Sequence, residues 1–64
     1  MLFEDALKAM REGKIVQLED CKYRLSYGSL EKCVRVNWDR FGEWYSAIWP
    51  SDTKMLSDNW KIGE

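Results

Sequence analysis

Histidine is absent from this 64-residue sequence, which also has only two cysteines, one proline and four glycines. Without an imidazole, the chain lacks the usual general base near neutral pH. Two cysteines without histidine and without C-x-x-C spacing do not form a zinc site. Four scattered glycines do not form a phosphate-binding loop either. These absences argue against an enzyme, against a metal site and against a bound cofactor.

An excess of charge of one sign and long apolar runs are missing as well. Ten basic and eleven acidic residues give a net charge of −1, so the chain has no general attraction for nucleic acid or for an anionic membrane. No apolar run is long enough to span a bilayer, and the first residues lack the layout of a secretory signal. We therefore expect a cytosolic protein, away from membranes and nucleic acid, whose Cys21 and Cys33 are free thiols.

Aromatic residues are abundant, with four Trp, three Tyr and two Phe. A chain of this length forms one domain, here 1–64, whose core is near the lower limit for independent stability. Large aromatic side chains bury much area per residue, and small domains often gain stability from self-association. Because Trp and Tyr are also favoured at subunit interfaces, we expect a homo-oligomer.

The first part of the chain has the pattern of an amphipathic helix. The residues Phe3, Ala6, Leu7 and Met10 follow the spacing of one apolar stripe. Gly13 is placed to end this helix in the left-handed conformation.

Alternating residues predict an antiparallel sheet after the helix. Strands are expected at 14–18, 22–27, 32–38 and 44–49, with turns at Gly28-Ser29 and Gly42. On this pattern one face, lying under the helix, contains Tyr23, Leu25, Tyr27, Val34, Val36 and Trp38. The uncovered face contains Arg24, Arg35 and Lys61. The hairpin at Gly28-Ser29 places Cys33 opposite Arg24 or Leu25, and Cys21 near Val36.

The end of the chain predicts a short helical turn followed by a closing strand. Pro50 ends the preceding strand, and Ser51 or Asp52 can cap the helical turn. Trp60 and Ile62 then alternate with Lys61 as a strand with one buried face, which places Trp60 in the core. The expected fold class is α+β, with one N-terminal helix on an antiparallel sheet of four to five strands and a short helical turn before the last strand.

Binding is the chemistry that these residues favour. Aromatic strand residues interleaved with arginine can stack on a base and hold a phosphate. The densest such group is Trp38, Arg40, Trp44, Tyr45 and Trp49. The alternative interpretation is that these rings form the core and the arginines a solvated face. Ser51 has two interpretations as well, because the start of a helix both needs a cap and offers N–H groups to an anion.

Both ends of the chain resemble a family of small phage and prophage proteins, the second Thoeris anti-defence family. The opening Phe3-x-x-Ala6-Leu7 followed by Gly13-Lys14-x-Val16 is similar to the family's helix, Gly-Lys stop and first strand. The closing Pro50-Ser51, Met55-Leu56 and Asp58-x-Trp60 resemble its Pro-Ser … Leu-Leu-Ala-x-Asp-Trp ending. Together these motifs cover about half of the chain.

The resemblance implies a protein that binds without catalysis. Such proteins sequester cyclic ADP-ribose-like or cyclic-nucleotide immune messengers in pockets between subunits of a homo-oligomer, in the host cytoplasm. On this basis Ser51 and Asp52 line the pocket and Trp49 stacks on a base. From the aromatic group, Tyr45 and Arg40 complete the expected ligand-binding residues. The second hypothesis is a small protein–protein inhibitor that blocks a host defence enzyme such as a nuclease.

Overall fold

The computed structural model describes residues 1–63 as a helix packed on one face of a sheet. In chain order the elements are α1 (Phe3–Arg11), β1 (Val16–Leu18), β2 (Cys21–Ser26), β3 (Ser29–Asn37), β4 (Arg40–Phe41), β5 (Tyr45–Ser46), α2 (Asp52–Met55) and β6 (Lys61–Ile62). The strands are antiparallel in the order β4-β3-β2-β1-β6, and β5 shares the outer edge of β3 with β4. The predicted α+β fold is therefore confirmed.

The end of α1 shows how the sequence terminates a helix. Gly13 has a φ of 90°, a region that glycine enters without steric penalty. The N–H of Gly13 donates to the carbonyl of Met10, and the N–H of Lys14 donates to that of Ala9, each at 3.0 Å. These two bonds form a Schellman motif, so the predicted left-handed helix end is confirmed.

The core lies between α1 and the sheet. It consists of Ala6, Ala9, Met10, Val16, Leu18, Tyr23, Leu30 and Trp60. The Trp60 ring is 5.2 Å from the Phe3 ring and 5.4 Å from the Tyr23 ring, centroid to centroid. Trp60 is only 1% exposed, which confirms its predicted place in the core.

The β2–β3 hairpin turns one residue earlier than predicted. Ser26 pairs with Ser29 across a two-residue loop, in which Tyr27 and Gly28 have φ values of 51° and 81°. This shift changes the register by two residues, so Cys33 lies opposite Lys22 and not opposite Arg24 or Leu25.

The two cysteines lie on opposite faces of the sheet. Cys21 lies opposite Val34 and not near Val36, so its predicted position was wrong. Directly paired residues share a face, and Cys21 pairs with Leu18 on the side of the core. Cys33 pairs with Lys22 and therefore faces the other way. Both thiols are free.

The far end of β3 is more exposed than predicted. Val34, Val36 and Trp38 are 36%, 59% and 90% exposed, and Tyr27 is fully exposed in the hairpin loop. The prediction that these four residues lie under the helix was wrong, because α1 packs mainly over β1, β2 and β6. Leu30 supplies the contribution of β3 to the core.

Aromatic side chains partly cover the second face of the sheet, which was predicted to be uncovered. The guanidinium carbon of Arg24 lies 4.2 Å from the centre of the Trp44 ring. The Phe41 ring lies 4.4 Å from Lys22 Nζ and 4.8 Å from the guanidinium carbon of Arg35. These distances are those of cation–π contacts, so the basic residues of this face hold aromatic side chains against the sheet.

Cys33 lies within this second face. Its side chain is 1% exposed. Burial raises the pKa of the Cys33 thiol, against the opposing effect of the nearby cations Lys22 and Arg24. The thiol is therefore protonated at neutral pH and shielded from reagents.

The aromatic segment after Gly42 is only partly a strand. It was predicted to be extended over 44–49, whereas only Tyr45–Ser46 pairs with β3, followed by one bond from the N–H of Ala47 to the carbonyl of Leu30 at 3.0 Å. Ile48 and Trp49 then leave the sheet, which positions the candidate site. Within residues 1–63, no helix is long and apolar enough to cross a bilayer.

Candidate ligand-binding cleft

An open cleft of about 160 Å³ lies where the chain leaves the sheet and enters α2. It is lined by two side chains of the sheet and by the segment that follows β5. The sheet residues are Tyr23 and Lys32, and the others are Ile48, Trp49, Pro50, Ser51 and Lys54. We refer to it as the Trp49 cleft.

Trp49 forms an aromatic wall of this cleft. Its ring stands edge-on to Phe3, with centroids 6.4 Å apart and an angle of 89° between the ring planes. Phe3 in turn packs against the buried Trp60. Trp49 is nevertheless 46% exposed, so the ring is supported by the core and still has surface for a ligand.

Ser51 begins α2 without capping it through its side chain. It occupies the N-cap position, but its side chain makes no capping hydrogen bond, so the predicted side-chain cap was wrong. The turn closes instead through the backbone, with the N–H of Met55 donating to the carbonyl of Ser51 at 2.9 Å. Ser51 lines the cleft.

α2 is tied to the core through one hydrogen bond. The indole Nε1 of Trp60 donates to the backbone carbonyl of Lys54 at 3.0 Å. This bond satisfies the only polar atom of a buried indole and holds the last turn of α2 in place. The hydrogen bond from Trp60 therefore holds the backbone of Lys54 in place at the rim of the cleft.

The cleft has positive charge that the described part of the chain does not neutralise. Within residues 1–63, neither Lys32 nor Lys54 has a carboxylate within 4.0 Å of its amine, whereas Arg24, Arg35 and Lys14 each do. The ring centre of Tyr45 lies 6.0 Å from Lys32 Nζ, at the limit of a cation–π contact. An anionic ligand would therefore meet two unpaired ammonium groups.

Tyr23 forms the buried part of the lining. It is 2% exposed, and burial is the main reason that its pKa is raised to about 12, with further contributions from the adjacent Cys21 and from Tyr45 and Glu19. The phenol is therefore uncharged at any physiological pH.

The structure brings together two of the five predicted site residues. Trp49 and Ser51 both line the cleft. Tyr45 lies next to it, opposite Lys32 in the sheet, and Asp52 begins α2 without lining the cleft. Arg40 is in β4, opposite Asn37 at the other end of the β3 edge.

The remaining members of the aromatic group point elsewhere. Trp38 extends into solvent from the turn between β3 and β4, and Trp44 packs on Arg24 across the second face. Sequence reasoning missed five lining residues, namely Tyr23, Lys32, Ile48, Pro50 and Lys54. A signal existed for Lys32, because it interrupts the apolar series Leu30, Val34 and Val36 on one side of β3.

A second, more apolar groove of about 260 Å³ borders α2 and the start of α1. It is lined by Leu2, Phe3, Glu4, Met55 and Leu56. Leu56 is 83% exposed and Leu2 is 55% exposed. Phe3 thus contacts Trp49 of the cleft and also lines this groove.

Comparisons with models of known protein families, with curated proteins and with solved structures found no match to this chain. The site is therefore interpreted from its own geometry. Within residues 1–63, no group of three or more acidic or cysteine side chains is arranged to hold a metal ion.

Proposed function

We propose that this protein binds a nucleotide-type ligand without changing it chemically, and that it is a phage-encoded antagonist that sequesters an immune messenger in the host cytoplasm. The messenger is a cyclic nucleotide or a molecule of the cyclic ADP-ribose type. The observation that carries the proposal is the half-exposed Trp49 beside two unpaired lysines in one cleft. The resemblance at both ends of the chain favours the same class of protein.

The chemistry of the Trp49 cleft suits a nucleotide. A base stacked on an aromatic side chain contributes about 1–3 kcal/mol to binding, and the Trp49 ring has exposed surface for such contact. Two lysines in the same cleft, without carboxylate partners within residues 1–63, favour a ligand that carries negative charge. Ser51 lines the same cleft, and a serine hydroxyl can donate or accept a hydrogen bond.

The size of the cleft supports a homo-oligomer. Its volume of about 160 Å³ is below the range of about 300–1,000 Å³ that is typical of ligand pockets. One copy of the chain therefore encloses only part of a nucleotide, and a second copy can cover the rest. The exposed Leu2 and Leu56 of the neighbouring groove offer apolar surface for this contact.

Calorimetry with a panel of cyclic nucleotides and cyclic ADP-ribose isomers tests this proposal. We expect saturable binding of at least one messenger, with the affinity reduced roughly tenfold or more in Trp49→Ala because one stacking contact is lost. Trp38→Ala is the matched control, since this exposed tryptophan lies outside the cleft. A flat titration against the whole panel would exclude the proposed function.

The second candidate function is inhibition of a host defence protein by direct contact. Val34, Val36 and Trp38 favour it, because they form the exposed apolar end of β3 and lie away from the cleft. On this hypothesis Val36→Asp abolishes stoichiometric capture of a host nuclease or other defence enzyme, while Trp49→Ala retains it. Capture that is lost only in Trp49→Ala would count against it.

A further inference from the structure

We infer that Lys32 and Lys54 form a phosphate-binding subsite of the Trp49 cleft, so that the ligand is a phosphorylated aromatic compound and not an uncharged nucleoside. This inference rests on the proposed binding function and adds which part of the ligand the lysines hold. The argument begins with the position of Lys32 in the sheet.

Lys32 occupies a position on the core-facing side of β3. It lies directly opposite Tyr23 of β2 and Tyr45 of β5, and Tyr23 is a member of the core. Leu30 precedes Lys32 on the same side and is buried. An apolar residue at position 32, where Lys32 is partly buried, would continue this pattern and bury more apolar surface.

Within residues 1–63, no carboxylate neutralises Lys32, and its one aromatic contact, with the Tyr45 ring at 6.0 Å, is at the limit of a cation–π interaction. Among the basic residues of β2 and β3, Arg24 bonds to Glu31 at 2.9 Å and Arg35 bonds to Asp20 at 3.0 Å. Lys22 has no carboxylate partner in the part of the chain that the structure describes, but its amine lies 4.4 Å from the centre of the Phe41 ring. For Lys32 the adjacent groups are phenols, and Tyr23 stays neutral because burial raises its pKa to about 12. Lys32 therefore has an unneutralised charge at a place where folding alone favours an apolar residue.

Lys54, in α2, supplies the second cation that lines the cleft. Its backbone is held by the Trp60 indole at 3.0 Å, while its side chain is exposed and has no carboxylate partner within residues 1–63. The two lysines thus reach the cleft from separate, well-supported elements, the sheet and α2. Such an arrangement fits a compact dianion such as phosphate, with Trp49 left for the aromatic part of the ligand.

Titration with inorganic phosphate, followed by two-dimensional NMR of the labelled protein, tests the subsite directly. We expect saturable shifts that are confined to the amides around residues 32 and 49–54 and to the Trp49 indole. The double variant Lys32→Met/Lys54→Met should lose them. The double variant Lys14→Met/Lys61→Met should keep them, because both of its lysines are exposed and lie outside the cleft. Unsaturable shifts, or shifts that persist without Lys32 and Lys54, would overturn the inference.

The single variant Lys32→Met separates a binding role from a structural one. We expect its melting temperature to rise by a few degrees, since the ammonium is removed from the core-facing side, while phosphate affinity falls about tenfold or more. If Lys32 instead stabilised the fold, its replacement by Met would lower the melting temperature. A lower melting temperature, or unchanged phosphate binding, would contradict the inference.

The nucleotide panel then distinguishes this inference from the proposed function. If a messenger binds the wild type and the Lys32→Met/Lys54→Met variant equally well, the proposed function holds and the phosphate subsite is wrong. If phosphate binds at the two lysines but no messenger in the panel binds, the subsite holds and the proposed function is wrong.

Discussion

Trp60 and Lys54 are joined by a hydrogen bond from the indole Nε1 to the backbone carbonyl, with a length of 3.0 Å. Trp60 is the largest fully buried side chain, and Lys54 is part of the cleft wall. This single bond therefore connects the packing of the core to the geometry of the candidate site.

Replacing Trp60 by Phe should weaken both the fold and the cleft. The change removes the donor to the Lys54 carbonyl and leaves unfilled volume between Phe3 and Tyr23. We expect the free energy of unfolding to fall by about 2–4 kcal/mol, as measured by urea denaturation. Trp38→Phe, at a 90% exposed position, should change it by less than about 0.5 kcal/mol. Equal stability of the two variants would show that Trp60 does not anchor α2.

Replacing Tyr27 by Asn should stabilise the protein. Tyr27 has a φ of 51°, and its side chain is fully exposed, so it bears backbone strain without burying surface. Asn-Gly is the preferred pair for a two-residue hairpin loop with positive φ at both positions. We expect a gain of about 0.5–1 kcal/mol in thermal or urea unfolding. Tyr27→Val is the contrasting variant, because a β-branched residue disfavours positive φ, and it should be less stable than the wild type.

Stability should fall between pH 10 and pH 12 because of Tyr23. Burial raises the pKa of its phenol from 10.0 to about 12 in the folded protein. Below pH 10 both states hold the proton, whereas above it the unfolded chain loses the proton first, so unfolding becomes more favourable as pH rises. The loss from this residue is on the order of 2 kcal/mol by pH 12.

Urea denaturation across this pH range, compared between the wild type and Tyr23→Phe, isolates the contribution of the phenol. The difference in the free energy of unfolding between the wild type and Tyr23→Phe should change by on the order of 2 kcal/mol from pH 9 to pH 12. Tyr27→Phe, at a fully exposed position, should follow the wild-type profile. A constant difference between wild type and Tyr23→Phe would show that Tyr23 ionises equally in both states.

Local rules predicted the elements of the fold because each of them is encoded within a few residues. Gly13 ends α1 through bonds to Met10 and Ala9, all within one turn of helix. The hairpin register was less accessible, because its loop depends on Tyr27 adopting positive φ, which propensity argues against. Tertiary pairing overrides that preference, and the resulting shift moved Cys33 from Arg24 to Lys22.

The candidate site was harder to predict because it depends on where the sheet ends. Trp49 and Ser51 are near each other in sequence and could be recognised as a pair, but Lys32 reaches them only through the pairing of β3 with β5. Arg40 is closer than Lys32 to Trp49 in the sequence, yet the β3–β4 turn places it at the opposite end of the edge. Distance along the sequence therefore did not indicate that Lys32, and not Arg40, lies in the same cleft as Trp49.

The position of β1 between β2 and β6 in the sheet has a kinetic consequence. One neighbour, β2, follows it directly, whereas the other, β6, comes from the end of the described chain. Local pairings form quickly and distant ones slowly, because a long loop must close first. We therefore expect the hairpins to assemble before β6 docks and the segment that contains Trp49 and Lys54 to become ordered late in folding. A ligand bound in the Trp49 cleft would slow the detachment of this segment from the sheet. It would therefore lengthen the lifetime of the native state.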